Sequence, residues 1–347
     1  MVGNWTASLT LPPLLDERFV RCPLNAIPLM AIWLPGRVNE PFAASMLGTG
    51  IIDAHVHLYP AEVAADPAAW AARMGEPLWG ALVTPHPARR VKQGWADHER
   101  LLRDMDAAGI ERSILLGWYW QRQETCSWHN RYYASCVRAH PDRLSAFATV
   151  QAAAGPQAIA EMERCRDEGF IGLGELCPWQ TAHSPLDPHW LAVFEHAVRL
   201  GWPVNLHVTD PVSHAFPGRV DTPLESIIRL AETLPNLPLI LAHWGGGLPF
   251  HEWHPRARRA LRHAYYDTAA TPLLYDPAIY AAARAAIGGE RVLFGSDYPL
   301  LVFPATQTEP NLAQVLNHAC QPGLDADTRA AMLGANARKL LRLSPST

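Results

Sequence analysis

Ile51-Ile52-Asp53-Ala54-His55-Val56-His57-Leu58 is an apolar run with polar side chains set at every second position. In a strand, residues i and i+2 point to one face, so the His55 and His57 imidazoles project together. That is the geometry a metal ion needs from a two-histidine clip. An H-x-H pair alone is a weak signal in a chain with 16 histidines; its place at the end of the first apolar strand gives it weight.

Seven more apolar runs follow: Arg112–Trp118, Leu144–Val150, Ile171–Leu176, Val204–Val208, Leu239–Trp244, Ala264–Ala269 and Val292–Ser296. They are short and continuous, as strands buried on both faces are. Amphipathic stretches separate them. His98–Ala108 carries Leu101, Leu102, Met105 and Ala108 on one stripe. Pro156–Glu168 and Pro188–Leu200 open on proline, and Asp221–Leu234 opens with a capping aspartate followed by Pro223 and Glu225. Eight strand-then-helix units over roughly 250–300 residues predict a (β/α)8 barrel. The competing arrangement is a doubly wound open sheet.

The proline-rich residues 1–50 do not fit the repeat. They are expected to form an extension packed on the barrel or at a subunit interface, with residues 51–347 forming the barrel. Pro60–Gln93 is an insertion after the first strand, read either as a lid or as a packed excursion.

Ligand-type residues recur at strand ends, where barrel enzymes place their chemistry. Glu175 ends the fourth run, His207 the fifth, and Asp297 follows the eighth; His243 closes the sixth. The spacings agree with strand counting. His57 to Glu175 is 118 residues, about three units, and Glu175 to His207 is 32, one unit. Each of these residues has an ordinary explanation alone: a hydrogen-bonded core histidine, a helix cap, a barrel ion pair. Those explanations do not account for all six at one barrel mouth, so a metal site is expected there.

Composition narrows the function. The chain has 347 residues, 49% hydrophobic, 18% charged, net charge −4. That balance lacks the basic face of a nucleic-acid binder. No apolar run approaches the roughly 20 residues that span a bilayer. Six cysteines without a C-x-x-C pair read as reduced thiols of a cytoplasmic protein.

Asp53-x-His55-x-His57, then His207, then His243-Trp-Gly-Gly, then Phe294-Gly-Ser-Asp297-Tyr-Pro together resemble the amidohydrolase superfamily. More narrowly they are similar to its amidohydrolase 2 group, around aminocarboxymuconate-semialdehyde decarboxylase. Met332-Leu-Gly-Ala-Asn336-Ala-Arg338-Lys-Leu340 resembles the closing helix of that group, and the resemblance covers roughly residues 51–343. It implies a divalent metal on His55, His57, His207 and Asp297, with His243 as proton shuttle and Asp297 orienting a metal-bound water. Mixed imidazole and carboxylate donors suit Zn²⁺ first and Mn²⁺ second. A carboxylated-lysine bridge is excluded, because the only lysines, Lys92 and Lys339, lie away from strand ends. Glu175 stands in that position as a fifth ligand, a bridge or a substrate contact.

Trp118, Tyr119 and Trp120 are expected to line a ring-sized pocket, Trp244 to wall the site, and Arg219 to clamp a substrate carboxylate. The expected activity is metal-dependent hydrolysis of a small amide, lactone or ester. The alternative is non-oxidative decarboxylation of an aromatic or muconate-like acid. A small-molecule substrate is the expected partner, with a homodimer assembled through the first 50 residues.

Overall fold

The computed structural model describes residues 50–85, 92–181, 183–320 and 323–344, all within the unit that runs from Glu40 to Thr347. The expectations for residues 1–49 lie outside the described residues.

Eight parallel strands follow one another in sequence order: β1 (Ile51–Val56), β2 (Ile110–Leu116), β3 (Leu144–Ala148), β4 (Gly172–Leu176), β5 (Val204–Leu206), β6 (Leu239–Leu241), β7 (Tyr265–Asp267) and β8 (Val292–Leu293). A doubly wound sheet would reverse its order midway; this one does not. It closes instead. Ala54 N donates to Phe294 O at 2.8 Å, Asp297 N to His55 O at 3.0 Å, and His57 N to Tyr298 O at 2.7 Å. The expected (β/α)8 barrel is therefore the observed fold.

The helices that set the spacing are α1 (Ala61–Ala65), α2 (Pro67–Met74), α3 (Pro77–Val83), α4 (His98–Ala108), α5 (Gln123–Ala139), α6 (Pro156–Asp167), α7 (Pro188–Leu200) and α8 (Leu224–Thr233). Asp97 caps α4 by accepting from Arg100 N at 2.9 Å, and Gly109 ends it in the left-handed conformation. The helix expected over Asp221–Leu234 starts later than its sequence suggested. Pro223, not Asp221, is its N-cap residue, and it caps without a side-chain bond. No helix among the described residues is long and apolar enough to cross a membrane.

Two cores hold the barrel. Ile52, Ala54, Ile114, Leu116, Phe147, Ile240 and Leu293 form one cluster with Ala337 of the closing helix and Leu341 just after it. Strands that are not neighbours meet only across the barrel interior, so this cluster fills it. The larger core lies between strands and outer helices, from Leu101 and Met105 of α4 to Val193 and Phe194 of α7.

The described part of the insertion is packed. Trp70 of α2 and Trp79 of α3 are buried against Tyr59, Trp120 and Cys126, with Trp70 ring centroids 5.3 Å from Trp79 and from Trp120. Glu76 fastens this layer to the loop after β2: its carboxylate accepts from Gln121 N at 2.7 Å and Arg122 N at 3.1 Å. Trp120 donates its indole N–H to His129 Nδ1 at 3.0 Å inside this cluster.

Trp70→Ala removes the centre of that layer. The expected cost is about 3–5 kcal/mol, seen as a lower Tm. Metal binding should survive, because the ring contacts of Trp70 are with Trp79, Trp120 and Trp128 of the insertion layer. Equal loss of stability and metal would contradict the separation of this layer from the site.

Candidate metal centre

Parallel strands present all their carboxyl ends at one mouth, and the mouth gathers the residues picked out in sequence. His55, His57, Glu175, His243 and Asp297 are buried there, and His207 is partly so. His55 Nε2 and His57 Nε2 stand 3.1 Å apart. The outer nitrogen of each ring is already committed: His55 Nδ1 to Asp267 Oδ2 and His57 Nδ1 to Leu116 O, both at 2.9 Å. Each ring therefore turns its Nε2 toward the mouth, the arrangement a metal ligand needs.

Carboxylates face those nitrogens. Glu175 Oε2 lies 3.9 Å from His55 Nε2 and 3.7 Å from His57 Nε2; Asp297 Oδ1 lies 3.8 and 3.6 Å from the same atoms. Glu175 Oε1 is 2.9 Å from His207 Nδ1 and 3.3 Å from His243 Nε2. Two trios have donor atoms within 4.8 Å of one another and could hold a metal ion: His55, Glu175 and His243, and His55, His57 and Asp297. His207 is adjacent but outside both trios. Its Nδ1 is turned to Glu175, and its Nε2 lies 3.1 Å from Thr209 Oγ1.

Local backbone explains the aim of these side chains. A register slip between β1 and β2, between Asp53 and Val56, changes the facing of β1 at Ala54 and His55. β4 shifts its register on β5 between Leu173 and Leu176, beside Asn205. A Cβ on Gly174, whose φ is +140°, would lie 2.6 Å from Asn205 O, so only glycine lets Glu175 follow at that point. Residues 243–247 all have positive φ, from 56° to 89°. Gly245 to Gly247 tolerate this; His243 and Trp244 do not do so freely, at roughly 1–2 kcal/mol each. The run replaces the strand end expected through Trp244 and swings His243 over the mouth.

Charge at the mouth is balanced by these same groups. Burial pushes the Glu175 carboxyl up, but His207, His243 and His55 outweigh it and hold it well below the usual carboxylate range. Burial pulls the His55 imidazole down, yet Asp267, Glu175 and Asp297 lift it to about 10. His243 is likewise lowered by burial and raised further by Glu175 and Asp297, to about 9. His57 goes down, through burial and the neighbouring His55. Burial lifts Asp53 to about 7 against bonds from Ser296 and His55. The pocket favours positive charge, and its N and O donors fit a divalent cation.

The substrate expectations divide. Trp118 lies 5.8 Å, centroid to centroid, from His57 and stacks at 4.1 Å on Tyr119, whose ring is 4.8 Å from His207. Those two form an aromatic wall on the histidine set. Trp120 is held in the insertion cluster instead. Trp244 is fully buried and donates to Thr271 Oγ1 at 2.9 Å. Arg219 is engaged within its own loop, with Asp221, with Ser213 Oγ at 3.3 Å and with Asp210 O at 3.4 Å. A groove of about 500 Å³ lined by Pro235, Arg262, His263, Glu290 and Lys339 lies at the opposite end of the barrel and includes no mouth residue.

Asp267 was not singled out in the sequence, although it is the last residue of β7 and Glu175 lies one residue from the end of β4. It is fully buried and binds His55.

This fold and mouth define a (β/α)8 barrel with residue groups that could hold a metal ion at its mouth. The chain belongs to the amidohydrolase family, whose family model matches residues 52–343. It is 23% identical over 279 residues to 2-amino-3-carboxymuconate-6-semialdehyde decarboxylase of Dictyostelium discoideum, covering 70% of this chain and 74% of that protein. It is 30% identical over 166 residues to 2-keto-4-carboxy-3-hexenedioate hydratase of a Sphingobium strain, covering 40% of this chain and 47% of that one. Among solved structures, 5-carboxyvanillate decarboxylase of Novosphingobium aromaticivorans, complexed with manganese and 4-hydroxy-3-methoxy-5-nitrobenzoic acid, superposes with a TM-score of 0.66. That match has 20% identity and covers 86% of this chain and 97% of that one.

A pH test follows from the imidazole shifts. In metal-free protein His55 carries a proton at neutral pH and must release it before Nε2 binds a cation. Apparent metal affinity should therefore rise from about pH 6.5 toward about 10, by ~10-fold per unit for each proton released. Metal-free stability should run the other way. A histidine raised on folding contributes fully below its unfolded pKa, and that contribution is lost as pH rises through about 9 for His243 and about 10 for His55. Metal titrations and melts of chelated protein across this range check both signs; an affinity independent of pH would contradict them.

Proposed function

We propose that the chain is a metal-dependent, non-oxidative decarboxylase of a planar aromatic or muconate-like carboxylic acid. The observation that carries this reading is the stacked Trp118–Tyr119 pair set directly against His57 and His207, a flat wall beside a cation-binding set. The decarboxylases among its relatives support it over the hydrolysis expected from sequence. Here Glu175 is engaged by His207 and His243. Both donor trios also share His55, whose Nδ1 is taken by Asp267; the one remaining lone pair serves one ion. That favours a single metal over a bridged pair.

His55, His57, Asp297 and Glu175 would hold a Mn²⁺ or Zn²⁺ ion, with His207 next to Glu175. The ion, when bound, would neutralise and fix the oxygens of an acidic substrate. Trp118 and Tyr119 stack on the substrate's plane and exclude water from it. The bond from ring or alkene carbon to the carboxylate then breaks, its electron pair stays on that carbon, and carbon dioxide leaves. The carbon takes a proton from the pair formed by His243 and Asp297, whose Nδ1 and Oδ2 lie 3.9 Å apart. Glu175, 3.3 Å from His243 Nε2, keeps that imidazole oriented and supplied with charge.

The test is a panel of ortho-hydroxylated benzoates and carboxylated muconate semialdehydes offered to the Mn²⁺- or Zn²⁺-loaded protein, with lactones and amides alongside. Carbon dioxide release with one proton gained by the substrate carbon is the expected result. His243→Asn should lower turnover by about 10²–10⁴-fold. Lactone or amide hydrolysis without carbon dioxide, or hydration of an unsaturated acid, would overturn the reading.

A further inference from the structure

Asp267 takes no part in the proton handling above, yet it is the most heavily bonded side chain at the mouth. Its Oδ2 accepts from His55 Nδ1 at 2.9 Å and from Asn205 Nδ2 at 3.1 Å. Its Oδ1 accepts the backbone N–H groups of His243 at 2.9 Å and Ala269 at 3.1 Å. One carboxylate thus joins β7 to β1, β5 and the turn after β6. We propose that Asp267 is a positioning residue that couples the orientation of the metal ligand His55 to the path of the chain at His243. The proposal rests on the mouth binding a cation and is independent of which acid is turned over.

Each oxygen has a separate task. Oδ2 requires a hydrogen on His55 Nδ1, which leaves Nε2 as the lone pair that faces Glu175 and Asp297. Oδ1 satisfies the His243 N–H where the backbone has left the strand and entered the left-handed region at φ 57°. The His243 ring hangs from that peptide, its Nδ1 3.2 Å from Ala269 O. Ala269 N is bound to the same oxygen, so both ends of that contact move with Asp267. Asn205 completes the clamp. Its Nδ2 is spent on Asp267, and its own Oδ1 has no partner in the protein.

This arrangement makes a sharp statement about Asp267→Asn, which keeps size and removes one acceptor. If the new amide nitrogen faces His55, it donates to Nδ1, forces the other tautomer and puts a hydrogen on Nε2 where the metal should bind. It also meets the donating amide of Asn205. If it faces the other way, it meets two backbone N–H donors and releases the turn at His243. Neither orientation keeps both tasks.

The test measures Mn²⁺ affinity by competition with a chelator, together with the melting of metal-free protein and the visible spectrum of Co²⁺-loaded protein. Asp267→Asn should bind Mn²⁺ about 10–100-fold more weakly than wild type and show an altered Co²⁺ spectrum. If Asp267→Asn does not fold, Asn205→Ala carries the test, with a smaller loss of affinity in the same direction. A variant that melts earlier when metal-free yet binds Mn²⁺ within about twofold of wild type and keeps the Co²⁺ spectrum overturns the proposal, because a purely structural role would behave that way. Wild-type protein that binds no Mn²⁺ would instead overturn the metal reading itself.

Discussion

Burying several carboxylates in one small volume is tolerable only if positive charge is buried with them. Asp53, Glu175, Asp267 and Asp297 are all buried at one end of this barrel, the first three almost completely. The imidazoles around Glu175, Asp267 and Asp297 answer that constraint, while burial lifts the Asp53 carboxyl to about 7. His55 and His243 are driven toward the protonated form, and Glu175 is held in its charged form by three imidazoles. A divalent cation would meet the same demand with one ion in place of mobile protons. The metal reading is therefore a statement about charge as much as about ligand geometry.

The barrel makes the constraint possible. Closure through the β1–β8 bonds brings residues in or just after β1, β4, β5, β6 and β8 into one mouth although they are spread over 242 residues of sequence, from His55 to Asp297. The left-handed turn at 243–247 is the local cost of this assembly. Asp267 accepts the His243 N–H, and Thr271 accepts the Trp244 indole N–H, so the strained residues are the ones most firmly tied. The insertion layer, bound by tryptophan contacts and Glu76, supports the β2 loop from outside and presents Trp118 and Tyr119 to the site.

The strand order and the mouth were legible in sequence because a parallel barrel repeats one rule eight times: an apolar run, then polar residues at its end. α4 and α7 have the bounds their apolar stripes implied, His98–Ala108 and Pro188–Leu200. What was not legible was three-dimensional. Alternation alone puts Ile52, Ala54 and the histidines on opposite faces of β1; the slip at Asp53–Val56 lets both serve the interior. Trp118 and Trp120 looked equivalent, but the chain after β2 leaves strand geometry. Trp118 reaches the site with Tyr119, while Trp120 turns into the insertion. Asp267 carried the same strand-end signal as Glu175. Its importance lies in reaching across to His55 and His243, a relation that spacing does not show.

The central claim is that this mouth holds one divalent cation through His55, His57 and their facing carboxylates. Elemental analysis of purified protein, before and after reconstitution with Mn²⁺ or Zn²⁺, tests it most directly when run beside His57→Ala. The account predicts about one ion per wild-type chain and a marked loss in the variant. No bound ion in reconstituted wild type, or equal metal in His57→Ala, would contradict it.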